Sequence, residues 1–178
     1  MTIKLEKGMQ IPDFNFYTQN DEKMTLSDVF KSKKKTLLLF LRYYGCTICQ
    51  LDLKEYMDKY HQFKEKGTEV VVFLQSASKI VRESGKDFPY IIGCDPEKRL
   101  FEQFEILPAK SMMSMLSFKT VGKMMKAKKA GLVHGEYEGE EKQLPAAFLL
   151  DNTGKINFSR YAKNLGDLPS SDDFLNMI

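Results

Sequence analysis

The chain has 178 residues, enough for one domain with a sizeable core, and 43% apolar with 29% charged residues is the composition of an ordinary globular protein. A net charge of +3 is too small to argue for nucleic acid, and no apolar run approaches the ~20 residues that span a bilayer. The opening Met1-Thr2-Ile3-Lys4 has no apolar signal region, and three cysteines make no secreted disulfide framework, so the expectation is a cytoplasmic protein with reduced thiols.

In chain order, Phe16-Tyr17 and Met24-Thr25-Leu26 suggest a hairpin turning at Asn20-Asp21-Glu22, with Ser27 capping a short helix through Phe30. Residues 36–44 are nearly continuous apolar sequence of strand length, as in a parallel strand buried on both faces. Beyond them Cys49, Leu53, Tyr56, Met57, Tyr60 and Phe63 recur at helical spacing, and Gly67 stands where a helix ends. Residues 69–75 form a second buried strand, Ser78 caps a helix to about Gly85, and Tyr90 to Asp95 is a third parallel strand. Residues 97–104 are a short helix.

Residues 107–143 read as an insertion. No acidic residue stands between Glu105 and Glu136, whereas Lys110, Lys119, Lys123, Lys126, Lys128 and Lys129 are all basic and five methionines accompany them. One or two amphipathic helices are expected, then a glycine-rich turn region from Gly131 to Gly139. A basic helix of this kind is compatible with a membrane surface, but a solvated face is the preferred reading. The helical part is expected to cover part of the site described next. The chain closes with a hairpin, Pro145–Leu150 and Lys155–Tyr161, and a short helix capped at Ser170.

The chemistry is concentrated at Cys46-Thr47-Ile48-Cys49, which opens a helix just past the carboxyl end of a central strand, where open α/β sheets place their sites. The unpaired N–H groups and dipole of a first helical turn favour a thiolate. Lowering a thiol pKa from about 8.5 to about 7 raises its thiolate fraction at pH 7 from roughly 3% to roughly 50%. A zinc site is the lesser reading, because no second Cys-x-x-Cys or paired histidines supply the other ligands. His61 and His134 are expected to be solvated. Cys94, two strands away, is expected to be a bystander.

The element order resembles the thioredoxin fold. Gly8-x-x-x-Pro12-Asp13-Phe14, Thr25-Leu26-Ser27-Asp28, Asp95-Pro96-Glu97 with Leu100-Phe101-x-x-Phe104, and Gln143-Leu144-Pro145 are similar to the alkyl hydroperoxide reductase C/thiol-specific antioxidant family, which includes the peroxiredoxins. The resemblance implies an α/β thioredoxin-like domain over 1–178, its mixed sheet flanked by helices, with an N-terminal hairpin and the insertion at 107–143. It further implies a peroxiredoxin-like thiol oxidoreductase that needs no cofactor and cycles Cys46 and Cys49 between dithiol and disulfide. A peroxide or disulfide is the implied substrate. The implied partners are a reducing thiol of thioredoxin or glutathione type and, optionally, a second copy in a homodimer; neither nucleic acid nor membrane is expected. The alternatives are a protein-disulfide reductase and a non-catalytic interaction protein that uses the basic insertion.

Peroxiredoxins are marked by Pro-x-x-x-Thr-x-x-Cys, where this chain has Arg42, Cys46 and Cys49 at the three fixed positions. That alignment makes Cys49 the peroxide-attacking thiol, whereas a thioredoxin-like alignment makes it Cys46. Exposure at the helix start is the argument for Cys46. Arg42, Thr47, Pro145 and Arg160 are the candidate substrate-positioning residues. Pro145 is expected to be cis by the thioredoxin resemblance, and Arg160 to lie opposite Ala146, at the site.

Overall fold

A computed structural model describes residues 2–178. One mixed sheet of seven strands runs in the order β2-β1-β5-β4-β3-β6-β7. The hairpin β1 (Asn15–Thr18) and β2 (Lys23–Thr25) leads into α1 (Leu26–Lys31). Next come β3 (Lys35–Phe40), the long helix α2 (Thr47–Glu65), β4 (Thr68–Leu74), α3 (Ser78–Glu83), β5 (Ile91–Cys94) and α4 (Arg99–Gln103). The insertion carries one 3₁₀ turn (Met113–Met115) and α5 (Phe118–Lys129), and β6 (Ala146–Asp151), β7 (Ile156–Tyr161) and α6 (Ser171–Met177) finish the chain.

The apolar runs form central strands because both faces of the sheet are covered. In β3, Leu37 and Leu39 point to one face and Leu38 and Phe40 to the other, following the two-residue period of a strand. The first face packs beneath α2 and α6 with Phe63, Phe174 and Leu175, and the second packs beneath α1 and α4 with Phe30, Leu100 and Phe101. On the second face Phe40 stacks on Phe73 at 4.7 Å and meets Phe101 edge-on at 5.3 Å. β3 is parallel to β4 and antiparallel to β6, so its carboxyl end lies beside the start of β6.

Two expectations about the last hairpin are corrected. Leu150 pairs with Ile156 as expected, but a bulge shifts the register so that Leu149 pairs with Phe158. The extra residue is Asn157, and it places Arg160 opposite Ala147 rather than Ala146. Pro145 is trans, because no cis peptide occurs among the described residues. Its carbonyl accepts from Ala162 N at 3.0 Å, so Pro145 is tied into the β7 side of the hairpin.

The insertion is clamped at its neck. Ala109 N donates to Lys142 O at 2.7 Å, and Pro108 pairs with Gln143. The Gln143 side chain is buried and donates to Ile106 O at 2.7 Å while accepting from Gln75 Nε2 at 3.0 Å. Gln143→Ala leaves both partners without their bond, which costs about 2 kcal/mol in such settings. The urea midpoint of Gln143→Ala should therefore fall with an unchanged m-value; an unmoved midpoint would show that the clamp contributes nothing.

Candidate active site

Strand β3 ends at Phe40 and the backbone continues between β4 and the insertion, with Leu41 N donating to Phe73 O and Gln75 N to Arg42 O. Cys46 is then the N-cap of α2. Its sulfur takes the place of a capping oxygen and accepts from Cys49 N at 3.5 Å, and its carbonyl accepts from Gln50 N at 2.9 Å. The first turn of α2 holds no acidic residue, so nothing there competes with a thiolate for the helix dipole. Cys49 lies three residues on, in the same turn, and both thiols are free.

The two sulfurs are electrostatically unequal. Hydrogen bonding from the Cys49 thiol, helped by Arg42 and by the Cys49 and Ile48 N–H groups, brings the Cys46 pKa down to about 6 against the opposing effect of burial. Burial, together with the neighbouring Cys46, pushes Cys49 well up. The pair therefore holds one proton at neutral pH, and Cys49 carries it. This supports Cys46 as the nucleophile on grounds other than the one expected. Exposure is not the reason, because Cys46 is only 3% and Cys49 4% accessible.

Arg42 is the cation of the site. It is buried, its Nη2 donates to the Tyr43 hydroxyl at 3.2 Å, its guanidinium lies 5.1 Å from the Tyr43 ring centre, and its Nε has no partner. Burial alone would weaken its hold on its proton, yet the proximity of Cys46 and Cys49 strengthens that hold. Arg160 behaves differently. It lies on β7, the edge strand, half-exposed and ion-paired with Asp167, and it lines a hollow with Lys119, Phe158 and Met177 that neither cysteine lines. Thr47 is the first residue of α2 and half-buried. Pro145 is buried beside Leu144, Tyr161 and Ala162, around a shallow hollow that neither cysteine lines.

The cover over the site comes from the glycine-rich part of the insertion rather than from its lysine-rich helix. Gly135 N donates to Gly45 O at 2.8 Å, Gly45 N donates to Glu138 Oε1 at 3.0 Å, and Gln50 Nε2 donates to Val133 O at 3.0 Å. His134, expected to be merely solvated, is exposed but has its Nε2 3.3 Å from the Tyr43 hydroxyl, and its ring packs on Tyr137 at 4.4 Å. A β-carbon on Gly45 would lie 2.3 Å from Glu136 O, so the strap fits against the cysteine turn only because residue 45 is glycine. Helix α5 docks one turn further along α2, where Lys123 Nζ meets the buried Asp52 at 2.6 Å.

Gly135, Glu138, Gln50 and Asp52 were not among the residues singled out from sequence. A glycine directly before Cys46, set against a second glycine-rich stretch, was the available signal. Cys94 is remote, since it ends β5, two strands from β3, and burial pushes its thiol up to about 12.

The family model described as the AhpC/TSA family matches residues 8–159. The chain belongs to the AhpC/TSA family. As a member it is a thiol-dependent, peroxiredoxin-like oxidoreductase with the thioredoxin-type fold of that family. Among solved structures it is similar to a reduced 2-Cys peroxiredoxin from Plasmodium vivax, with a TM-score of 0.68, 14% identity, and 96% of this chain and 79% of that one covered. It is also similar to the peroxidoxin BcpB from Mycobacterium tuberculosis, with a TM-score of 0.64, 16% identity, and coverage of 98% and 93%. At these identities the likeness speaks for the fold alone. No curated protein matches the chain.

Two outcomes follow from the geometry. Gly45→Ala must displace Glu136 O, so alkylation of Cys46 by iodoacetamide should become several-fold faster, and an unchanged rate would mean that the strap does not guard the thiol. Cys49→Ala removes the chief stabiliser of the Cys46 thiolate. Its thiolate absorbance should then titrate well above the wild-type midpoint of about 6, and an unshifted midpoint would contradict the assigned hydrogen bond.

Proposed function

We propose that the protein reduces hydroperoxides through a cycle in which Cys46 attacks and Cys49 resolves. The observation that carries this reading is the unequal pair: a Cys46 thiolate with a pKa of about 6 beside a buried guanidinium, and a protonated Cys49 in the same helical turn.

The Cys46 thiolate attacks the terminal oxygen of the hydroperoxide. The S–O bond forms, the O–O bond breaks, and the alkoxide leaves and takes a proton from water. Cys46 is now a sulfenic acid. Cys49 loses its proton and its sulfur attacks Cys46 Sγ, so that hydroxide departs as water and the disulfide closes. An external dithiol or two monothiols supply the two electrons that restore the pair. Arg42, whose charge stabilises the Cys46 thiolate, is the group assigned to answer the oxyanion that develops there, where a preorganised donor counts most.

Substrate size favours peroxide over a protein disulfide. The strap bonds to both backbone groups of Gly45 and leaves Cys46 buried. A peroxide needs only a small opening, whereas a polypeptide disulfide needs the whole turn uncovered.

Stopped-flow comparison of hydrogen peroxide, an alkyl hydroperoxide and a neutral aromatic disulfide tests the reading. Peroxide consumption should rise with pH through about 6 and level off above it, because the reactive thiolate is already formed there. Arg42→Met should lower the peroxide rate on the order of 10²-fold and leave the aromatic disulfide less affected. Arg160→Met should change neither rate. Fast reduction of disulfides with indifference to every peroxide would establish the disulfide-reductase reading instead.

A further inference from the structure

Helix α5 has two faces with different chemistry. Its inner face is fixed: Thr120 and Ala127 are buried, Thr120 Oγ1 donates to Met115 O at 3.1 Å, and Lys123 pairs with Asp52. Ser117 caps the first turn by accepting from Thr120 N at 3.1 Å. The helix therefore cannot roll. Its outer face carries Phe118, Val121 and Met125 at three- and four-residue spacing, and all three are exposed, Phe118 completely (100%) and Met125 by 68%. Met113, in the turn just before, is 77% exposed, and Met112 and Leu116 beside it are also uncovered. Scattered exposed apolar residues are ordinary, but a contiguous apolar stripe held outward by a fixed helix is not.

The stripe is collared by charge of one sign. Lys110, Lys119, Lys126, Lys128 and Lys129 are exposed, and the segment has no acidic residue from Ser111 to Gly135. Those five charges exceed the net +3 of the whole chain, so the remainder of the molecule is slightly acidic and the positive charge is gathered on this face. Tips of methionine and phenylalanine standing among lysines match a plane that is anionic outside and apolar just beneath. Met113, Phe118 and Met125 line none of the described cavities, so no groove is present there to receive an extended peptide. No helix among the described residues is long and apolar enough to cross a membrane, so the contact is one of lying on the surface.

We propose that the outer face of α5, with the turn before it, docks the protein on anionic phospholipid bilayers, Phe118 and the methionines entering the headgroup boundary and the lysines meeting lipid phosphates. This departs from the solvated face expected from sequence, because the exposed side chains are apolar as well as basic. It does not depend on the cysteine chemistry.

Co-sedimentation of the full chain with vesicles of phosphatidylcholine, with and without phosphatidylglycerol, tests the proposal. Binding should require the anionic lipid and weaken steeply with salt. A lysine near an anionic surface is worth roughly five-fold in affinity, so the Lys126→Glu/Lys129→Glu double variant should bind roughly 25-fold more weakly or worse. Phe118→Ser/Met125→Ser, at positions where folding has nothing to lose, should weaken binding by roughly ten-fold or more at unchanged charge. Three results would overturn the proposal. The first is no binding to anionic vesicles at low salt, or equal binding to neutral ones. The second is binding to polyglutamate as tight as to vesicles and indifferent to Phe118→Ser/Met125→Ser, which would mark an electrostatic surface for acidic proteins. The third is a dimer at micromolar concentration that the same double variant dissolves, which would mean that a second copy covers the face.

Discussion

The site rests on one electrostatic constraint: a negative sulfur and a positive guanidinium held together where almost no water reaches. An isolated buried charge costs several kcal/mol, so a buried Arg42 with no carboxylate is tolerable only where another group answers it. Cys46, as a thiolate, is that group, supported by the Cys49 thiol and the backbone N–H groups of a helix start. The dependence runs both ways. Oxidation to a disulfide removes the negative charge and leaves Arg42 unanswered, so the same interaction that activates the thiol favours its reduced form. Lowering the Cys46 pKa from 9.0 to about 6 favours the dithiol over the disulfide at pH 7. That is an oxidising bias, suited to a couple that must be returned to the dithiol after each turnover.

The fold was legible where burial imposes a period. Continuous apolar runs marked β3, β4 and β6 because both sheet faces are covered, and the helical recurrence from Cys49 to Phe63 marked α2. The placement of the two cysteines at the head of that helix followed. Arg160 was misplaced because a bulge leaves no local signature: Asn157 is an ordinary polar residue on an edge strand, and one extra residue changes every pairing after it. Pro145 was expected to be cis by analogy, and the backbone here is trans and bonded on the β7 side. The strap was invisible for a different reason. Its contacts with the cysteine turn join residues about ninety positions apart through single backbone groups, and neither periodicity nor composition encodes such pairs.

The insertion thus divides its work between two unlike segments. The helical half is anchored by the Asp52–Lys123 pair, an arrangement whose breakage would leave a buried charge alone. The glycine-rich half closes over Gly45 with only a few hydrogen bonds and little apolar contact, the kind of segment that opens locally at small cost. Both faces of Gly45 matter: the N–H is held by Glu138 and the carbonyl by Gly135, so the turn presenting Cys46 is fixed from outside as well as by α2.

The central claim is that Cys46 is the attacking thiolate and Cys49 its resolving partner. Trapping with a sulfenic-acid reagent after one equivalent of hydrogen peroxide, followed by peptide mass spectrometry, tests it most directly. In Cys49→Ser the adduct should form on Cys46, and in the unaltered protein a Cys46–Cys49 disulfide within one chain should form in its place. An adduct on Cys49 in Cys46→Ser with none on Cys46 in Cys49→Ser, or a dominant disulfide through Cys94, would contradict the account.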